Sequence, residues 1–479
     1  MAGHMTPDEF RRYGHAVVDW VADYWAGVHN LPVQPPVRPG DIAARLPKTA
    51  PEHGEKFDEI LADLDRVVLP GVTNWQHPSF FAYFPANTSG PSVLGDLVSA
   101  GLGVQGMLWA TSPAGTEVET VVLDWLADLL DLPPAFRSTG TGGGVIQDSA
   151  SSAALVATLV ALYRASGGTW RDEGVRRRYT VYTSTQAHSS VQRAARLAGI
   201  GDDNVRLIDV DPDTLAMDPD ALRAAIERDV ADGAVPALVV ATVGTTSTTA
   251  VDPVPAIGAI ARRYKLWLHI DAAYAGATAV CPELRWAHAG VEHADSYCMD
   301  PHKWLLTGFD CDAFWVADRG ELIQALTVLP EYLRNAATAS GAVIDYRDWQ
   351  VPLGRRFRAL KLWFVLRSYG AEGLRAHVRS GVATAQRLAE WVAADERFAI
   401  VAPHPFSLVC FRLVAGDEAS EELLERLNAS GAVLLSHTRV QGRYTLRLAI
   451  GAPLTEPRHV EQAWALIQRT AGEVLAARP

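Results

Sequence analysis

Apolar residues recur at helical spacing near the start of the chain: Phe10, Tyr13, Val17, Trp20, Val21 and Tyr24. Such a stripe predicts an amphipathic helix. Thr6, Pro7 and Glu9 precede it as a cap, a first-turn proline and the second half of a capping box. A helix this aromatic needs cover for its stripe, either from its own domain or from a second subunit. The stretch 31–40 is proline-rich and reads as an extended connector.

From about residue 140 the pattern changes. Short β-rich runs at 179–182, 205–208, 237–241, 266–270 and 313–316 alternate with helical patterns such as 190–198 and 219–232. This alternation predicts an α/β fold with a mostly parallel sheet covered on both faces. Ligands then belong at the carboxyl ends of the strands. After Lys361 a long helical stretch leads to strands at 408–413 and 444–450 and helices at 419–427 and 459–476. The expected division is a helical N-terminal segment (1–85), a large α/β domain (86–365) and a small α+β C-terminal domain (366–479).

Composition narrows the function classes. A net charge of -12 with no compensating basic tail argues against a nucleic-acid footprint. The densest basic run, Arg176-Arg177-Arg178, reads as a solvated turn. Cys281, Cys298, Cys311 and Cys410 show neither paired nor zinc-like spacing, so no disulfide framework and no metal site is expected. That usage fits a reducing cytoplasm. The start carries no basic-then-apolar signal, and 1–5 reads in part as a remnant of cloning. Apolar runs such as 153–163 are too short to span a bilayer, so no membrane partner is expected.

The chemistry enters with two residues. Asp271 ends an apolar run, and Lys303 follows it in Asp300-Pro301-His302-Lys303-Trp304. Pyridoxal phosphate (PLP) needs a lysine amine for its Schiff base and a carboxylate to hold its pyridine nitrogen protonated. Both residue types fall here at what read as the ends of neighbouring strands. The segment 147–152, rich in hydroxyls, leads into an apolar helix whose N-terminus suits a phosphate. The glycines at 140–144 would add backbone freedom upstream. His188, just after a strand, could stack flat on the cofactor ring.

The chain resembles the aromatic L-amino acid decarboxylases, within the group II PLP-dependent decarboxylases. The resemblance runs from Trp75 through the motifs at 80–85, 112–117, 144–147, 186–190, 244–246, 269–276 and 300–304 to 352–358. It implies the fold type I PLP architecture and a homodimer with shared active sites. It implies Lys303 as the Schiff-base lysine, Asp271 as the pyridine partner and His188 as the stacking residue. It places Ala150, Ser151 and His302 around the phosphate, and Thr246 and Ala273 on the cofactor. Tyr332 matches a loop tyrosine credited in the family with protonating the substrate carbon. Relatives that release aldehyde, ammonia and hydrogen peroxide replace that tyrosine or change the histidine. This chain keeps both, which favours plain decarboxylation.

For the substrate, the resemblance implies an aromatic wall from Trp75, Tyr83, Phe84 and Pro85. Ala86 stands where dopa-decarboxylating animal relatives carry a threonine. Gln105 and Met107 fill positions that the second subunit supplies. Gly354 matches a glycine that accompanies indolic substrates in plant relatives. Tryptophan is therefore expected over tyrosine or dopa, with tryptamine as the amine. Asp300 replaces an asparagine common before Pro-His-Lys, so its charge is expected to point away from the phosphate or to be protonated. Three rivals are weaker. No GxGxxG follows a first strand, as a dinucleotide enzyme would need. A silent scaffold would need none of Lys303, Asp271, His188 or Tyr332. The 147–151 segment is not the nucleophile elbow of a hydrolase.

Overall fold

The computed structural model describes residues 4–328, 336–339 and 342–478. The first helix, Pro7–Gly27, starts as its signals require: Thr6 caps it and Glu9 closes the capping box. Tyr13 meets Phe57 with ring centroids 4.5 Å apart, and Tyr24 Oη donates to Asn74 Oδ1 at 3.0 Å. Yet no residue of this helix is buried, so its own chain covers the stripe only in part.

The large sheet is built from β1 (Gly143–Gln147), β2 (Tyr179–Ser184), β3 (Val205–Ile208), β4 (Val235–Thr242), β5 (Trp267–Asp271), β6 (Ser296–Met299) and β7 (Asp312–Val316). Their order is β1-β7-β6-β5-β4-β2-β3. The pairs from β3 across to β6 are parallel, and β7 runs against both of its neighbours. Successive residues face opposite cores. Val239, Ala241, Leu268 and Ile270 join one cluster, while Val181, Leu238, Val240 and Trp267 join the other. Two covered faces explain the nearly continuous apolar runs.

The expected α/β fold with a mostly parallel sheet is therefore present. Of the glycines at 140–144, Gly143 uses the backbone freedom expected of it, at φ 151°, and Gly143 and Gly144 belong to β1 itself. A Cβ on Gly142 would sit 1.9 Å from Val316 O, and one on Gly144 would sit 2.7 Å from Trp315 Nε1. Their bare backbones let β7 approach.

The helical segment Ala359–Ala393, two helices that meet at a kink at Gly370, links the two cores, with Leu362 and Val365 in the large one and Leu388 and Val392 in the small one. Beyond it, β8 (Phe398–Ile400), β9 (Leu408–Leu413), β10 (Ser436–Val440) and β11 (Arg443–Ala449) form an antiparallel sheet in the order β10-β11-β9-β8. Helices Asp417–Ala429 and Pro457–Ala476 cover it. The segment 79–85 lies along this sheet: Phe81 N donates to Leu434 O, and Ala449 N donates to Phe81 O. That contact fixes where Tyr83, Phe84 and Pro85 point. Among the described residues, no helix is long and apolar enough to cross a membrane.

Candidate active site

Three adjacent strands end at one edge of the sheet. After β4 comes the turn Gly244-Thr245-Thr246, β5 ends on Asp271 with Ala272 and Ala273 after it, and after β6 comes the short turn Pro301–Trp304. Gly244 sits at φ 84°, and a Cβ there would lie 2.5 Å from Ala275 Cβ, so only glycine lets this turn reach the β5 loop. Lys303 Nζ donates to Asp300 Oδ2 at 2.7 Å, and 28% of the lysine side chain stays exposed. Burial works against that ammonium, but Asp300 outweighs it and holds the lysine above its ordinary range. Asp271 is buried and accepts from Ala273 N at 3.1 Å.

His188 follows β2 and remains exposed, with Nδ1 accepting from Ser190 N at 3.1 Å. The protein around the ring pushes its pKa below the usual imidazole value, against the pull of Asp271. Ala150 and Ser151 open the helix Ala150–Ser166, and Ser149 before them makes no side-chain cap. That leaves backbone N–H groups at the helix start for an anion. His302 is buried, its Nδ1 2.7 Å from Cys311 O and its Nε2 3.7 Å from Asp300 Oδ2. Thr246 is exposed, while its carbonyl accepts from Arg447 Nη2 at 2.7 Å.

The aromatic wall is tied to the lysine turn. Phe84 stacks on Tyr274 at 3.7 Å between centroids, and Tyr274 stacks on Trp304 at 5.0 Å. Arg447 lies over the Phe84 ring at 5.3 Å. Trp75 stacks on Tyr83 at 5.8 Å, Pro85 is buried, and Ala86 O accepts from Gln76 Nε2 at 2.9 Å. Gln105, Met107 and Gly354 form a second group. Gln105 Oε1 accepts from Arg355 N at 2.6 Å, and Met107 O accepts from Arg347 N at 3.0 Å. A Cβ on Gly354 would sit 3.3 Å from Gln105 Nε2. Tyr332 lies outside the described residues. Sequence reasoning gave no role to Arg447, which grips the Thr246 and Ser247 carbonyls from the small domain. Its signal was a charged residue amid the apolar run of β11.

An amine, a buried carboxylate, an uncapped helix start and an open imidazole are the donor set that PLP requires, and here they share one strand edge. Residues 39–414 match the pyridoxal-dependent decarboxylase conserved domain. The chain belongs to the pyridoxal-dependent decarboxylase family. It is a PLP-dependent carboxy-lyase. It is 48% identical to phenylacetaldehyde synthase of Arabidopsis thaliana, over 98% of this chain and 97% of that one. It is 45% identical to tryptophan decarboxylase 2 of Oryza sativa subsp. japonica, over 98% and 96%. The solved structure of Oryza sativa TDC with PLP and tryptamine superposes with a TM-score of 0.95 at 44% identity, covering 99% of each chain.

Proposed function

We propose that this decarboxylase converts an aromatic L-amino acid, tryptophan before the others, to its arylalkylamine and CO2. The observation that carries the reading is the continuous stack from Phe84 through Tyr274 to Trp304, which ends beside Lys303. Tyr274 and Trp304 are buried and act as backing, which fixes half-buried Phe84 as the ring of the stack that a flat side chain would meet. Bound PLP supplies the electron sink for the bond to the carboxylate carbon. Lys303 would carry the cofactor, and Asp271 would face its pyridine nitrogen as counter-charge. Ala150, Ser151 and His302 would surround its phosphate, with Thr246 and Ala273 alongside. His188, held neutral by its surroundings, would lie flat against the ring. Gly354 supports the indole preference, since a side chain there would press on Gln105 at 3.3 Å.

The test is a competition among L-tryptophan, 5-hydroxytryptophan, tyrosine, phenylalanine and dopa, read by mass spectrometry. Tryptamine-type amines should dominate. Dominant tyramine or dopamine would keep the reaction and overturn the preference, in favour of phenolic substrates.

A second reading, an aldehyde synthase, is favoured by the identity to phenylacetaldehyde synthase. Tyr332 separates the two. In our reading its phenol hands a proton to the substrate α-carbon, so the amine is the product. Tyr332→Phe is expected to divert most turnover to aldehyde, with one dioxygen and one water consumed and CO2, ammonia and hydrogen peroxide released. Amine as its sole product would sink that role.

The working unit is proposed to be a homodimer. An apolar groove of about 810 Å³ runs between the first helix and helix Gly90–Leu102, lined by Phe10, Tyr13, Val17, Trp25, Leu94 and Leu97. None of the site residues lines it. A second copy of the same helices would cover both stripes. Sedimentation at the mass of one chain, 51.8 kDa, would refute it. The division into 1–85, 86–365 and 366–479 remains our proposal, supported by the separate cores. A cytoplasmic setting is supported by four buried, unpaired cysteines.

A further inference from the structure

One buried pair beside the lysine has no part in the scheme above. Asp300 follows β6, and Asp312 opens the neighbouring strand β7. They are 2% and 0% exposed. Asp300 Oδ2 accepts from Lys303 Nζ at 2.7 Å. Among the described residues, Asp300 Oδ1 and both oxygens of Asp312 receive no N–H or O–H. The register places the two side by side: β6 and β7 run antiparallel with Met299 opposite Ala313, so Asp300 and Asp312 are the next facing positions at the strand ends. Two carboxylates cannot bond each other, and two buried charges against one lysine would leave one uncompensated. A single proton between them removes the surplus charge and supplies the missing donor. Burial drives Asp312 well above the usual carboxylate range, and Asp300 adds to that push. At Asp300 burial acts the same way, but Lys303 and His302 outweigh it and hold its carboxyl low.

We propose that Asp300 and Asp312 share one proton and form a dock that holds the Lys303 amine whenever it is not bonded to the cofactor. The proposal rests on the reading of Lys303 as the cofactor lysine. Each turnover frees that amine, and a free lysine chain in a solvent-reached cleft would otherwise sample many positions. Asp300 is a positioning residue: it acts on substrate only through Lys303.

Docking has a chemical consequence. Capture of the cofactor aldehyde needs the neutral amine. The nitrogen lone pair forms the N–C bond, the ammonium proton goes to solvent, and the carbonyl oxygen leaves as water. A docked, charged amine therefore captures slowly until pH rises. The charged and titratable neighbours all act on this balance. Lys303 also faces Asp271 and Cys298, and Asp312 faces Asp271. His188 faces Asp271, Lys303, Asp300 and Arg193, and His302 faces Asp300, Lys303 and Lys361.

The experiment uses the full-length protein, stripped of PLP and remixed with it from about pH 6 to about pH 9, around the titration range of a perturbed lysine. The readout is the rate at which the visible band of lysine-bound cofactor appears. D300N removes the charge but keeps the shape and the hydrogen bond to Asp312. It should capture PLP about tenfold faster or more near neutral pH, with the pH midpoint about one unit lower or more. D312N should keep the wild-type midpoint, because an amide N–H replaces the shared O–H and leaves Asp300 charged. D300N that captures at the wild-type rate, more slowly or not at all overturns the dock. A D312N midpoint lowered as in D300N also overturns it, because Asp312 was then ionised. Wild-type protein that forms no band overturns the lysine reading and the dock with it.

Discussion

Lys303→Ala should form no visible band with PLP and should make amine more slowly than wild type by on the order of 10⁴-fold, the size of loss seen when a covalent nucleophile is removed. The fall comes from one atom. Lys303 Nζ is the amine held at the strand edge on Asp300, whereas Lys361, the other lysine near His302, is fully buried and tied to Asp96. The variant should still fold, because Trp304 remains stacked on Tyr274 and the turn Pro301–Trp304 keeps its backbone bonds. Its stability should change with pH in a defined direction. Without the ammonium, Asp300 and Asp312 lose their shared cation and bind protons more tightly folded than unfolded. A raised folded pKa means stability that is greatest at low pH and falls as pH rises past the unfolded value. Unfolding midpoints of variant and wild type should therefore converge toward acid and separate toward neutrality. A normal band, or activity within tenfold of wild type, would end the assignment of Lys303.

Legibility followed how local each signal was. The strands β2, β3, β4, β5 and β7 were readable because their apolar runs are dense enough to stand out. β1 was not, since glycines that serve close packing against β7 mimic a flexible loop. β6 spans only Ser296–Met299 and lacks a branched aliphatic residue, and β10 carries His437 and Arg439 on an edge strand. Lys303 and Asp271 were legible because the cofactor demands those residue types at strand ends. The proposed substrate wall and the proposed role of Tyr332 rest on resemblance alone. Asp312, Arg447 and the pair Glu119–Arg355 were not legible, because each owes its role to a partner distant in sequence. For Asp300 the sequence implies a charge that points away from the phosphate or is protonated. In the structure its Oδ2 accepts from Lys303, and its Oδ1 is buried without a hydrogen-bond partner among the described residues.

Glu119→Ala should destabilise the protein by about 3–5 kcal/mol, and more than Arg355→Ala at acidic pH. The two side chains are each 2% exposed and meet through Arg355 Nη2 to Glu119 Oε1 at 2.7 Å and Nη1 to Oε2 at 3.1 Å. The pair also closes the end of β1: Ile146 N donates to Glu119, and Arg355 Nη2 donates to Ile146 O. Arg355 further bonds Gln350 and lies over the Tyr346 ring at 4.6 Å. Removing Glu119 strands a guanidinium that cannot shed its proton. Acid gives that stranded charge no relief. Removing Arg355 strands a carboxyl, which can take up a proton and become neutral. That raises its folded pKa above the unfolded one, so the Arg355→Ala deficit should shrink as pH falls and be full at neutrality. Replacing both by apolar residues should recover only part of the loss, because Ile146 N and O would still lack partners. Urea unfolding at matched protein concentration, at two pH values, measures all three. Because Gly354 and Gln105 hang from the same segment through Arg355 N, the variants should also raise KM for aromatic substrates. Equal deficits at both pH values for Arg355→Ala would mean that Glu119 finds another cation and that the pair does not hold β1 to the substrate-facing segment.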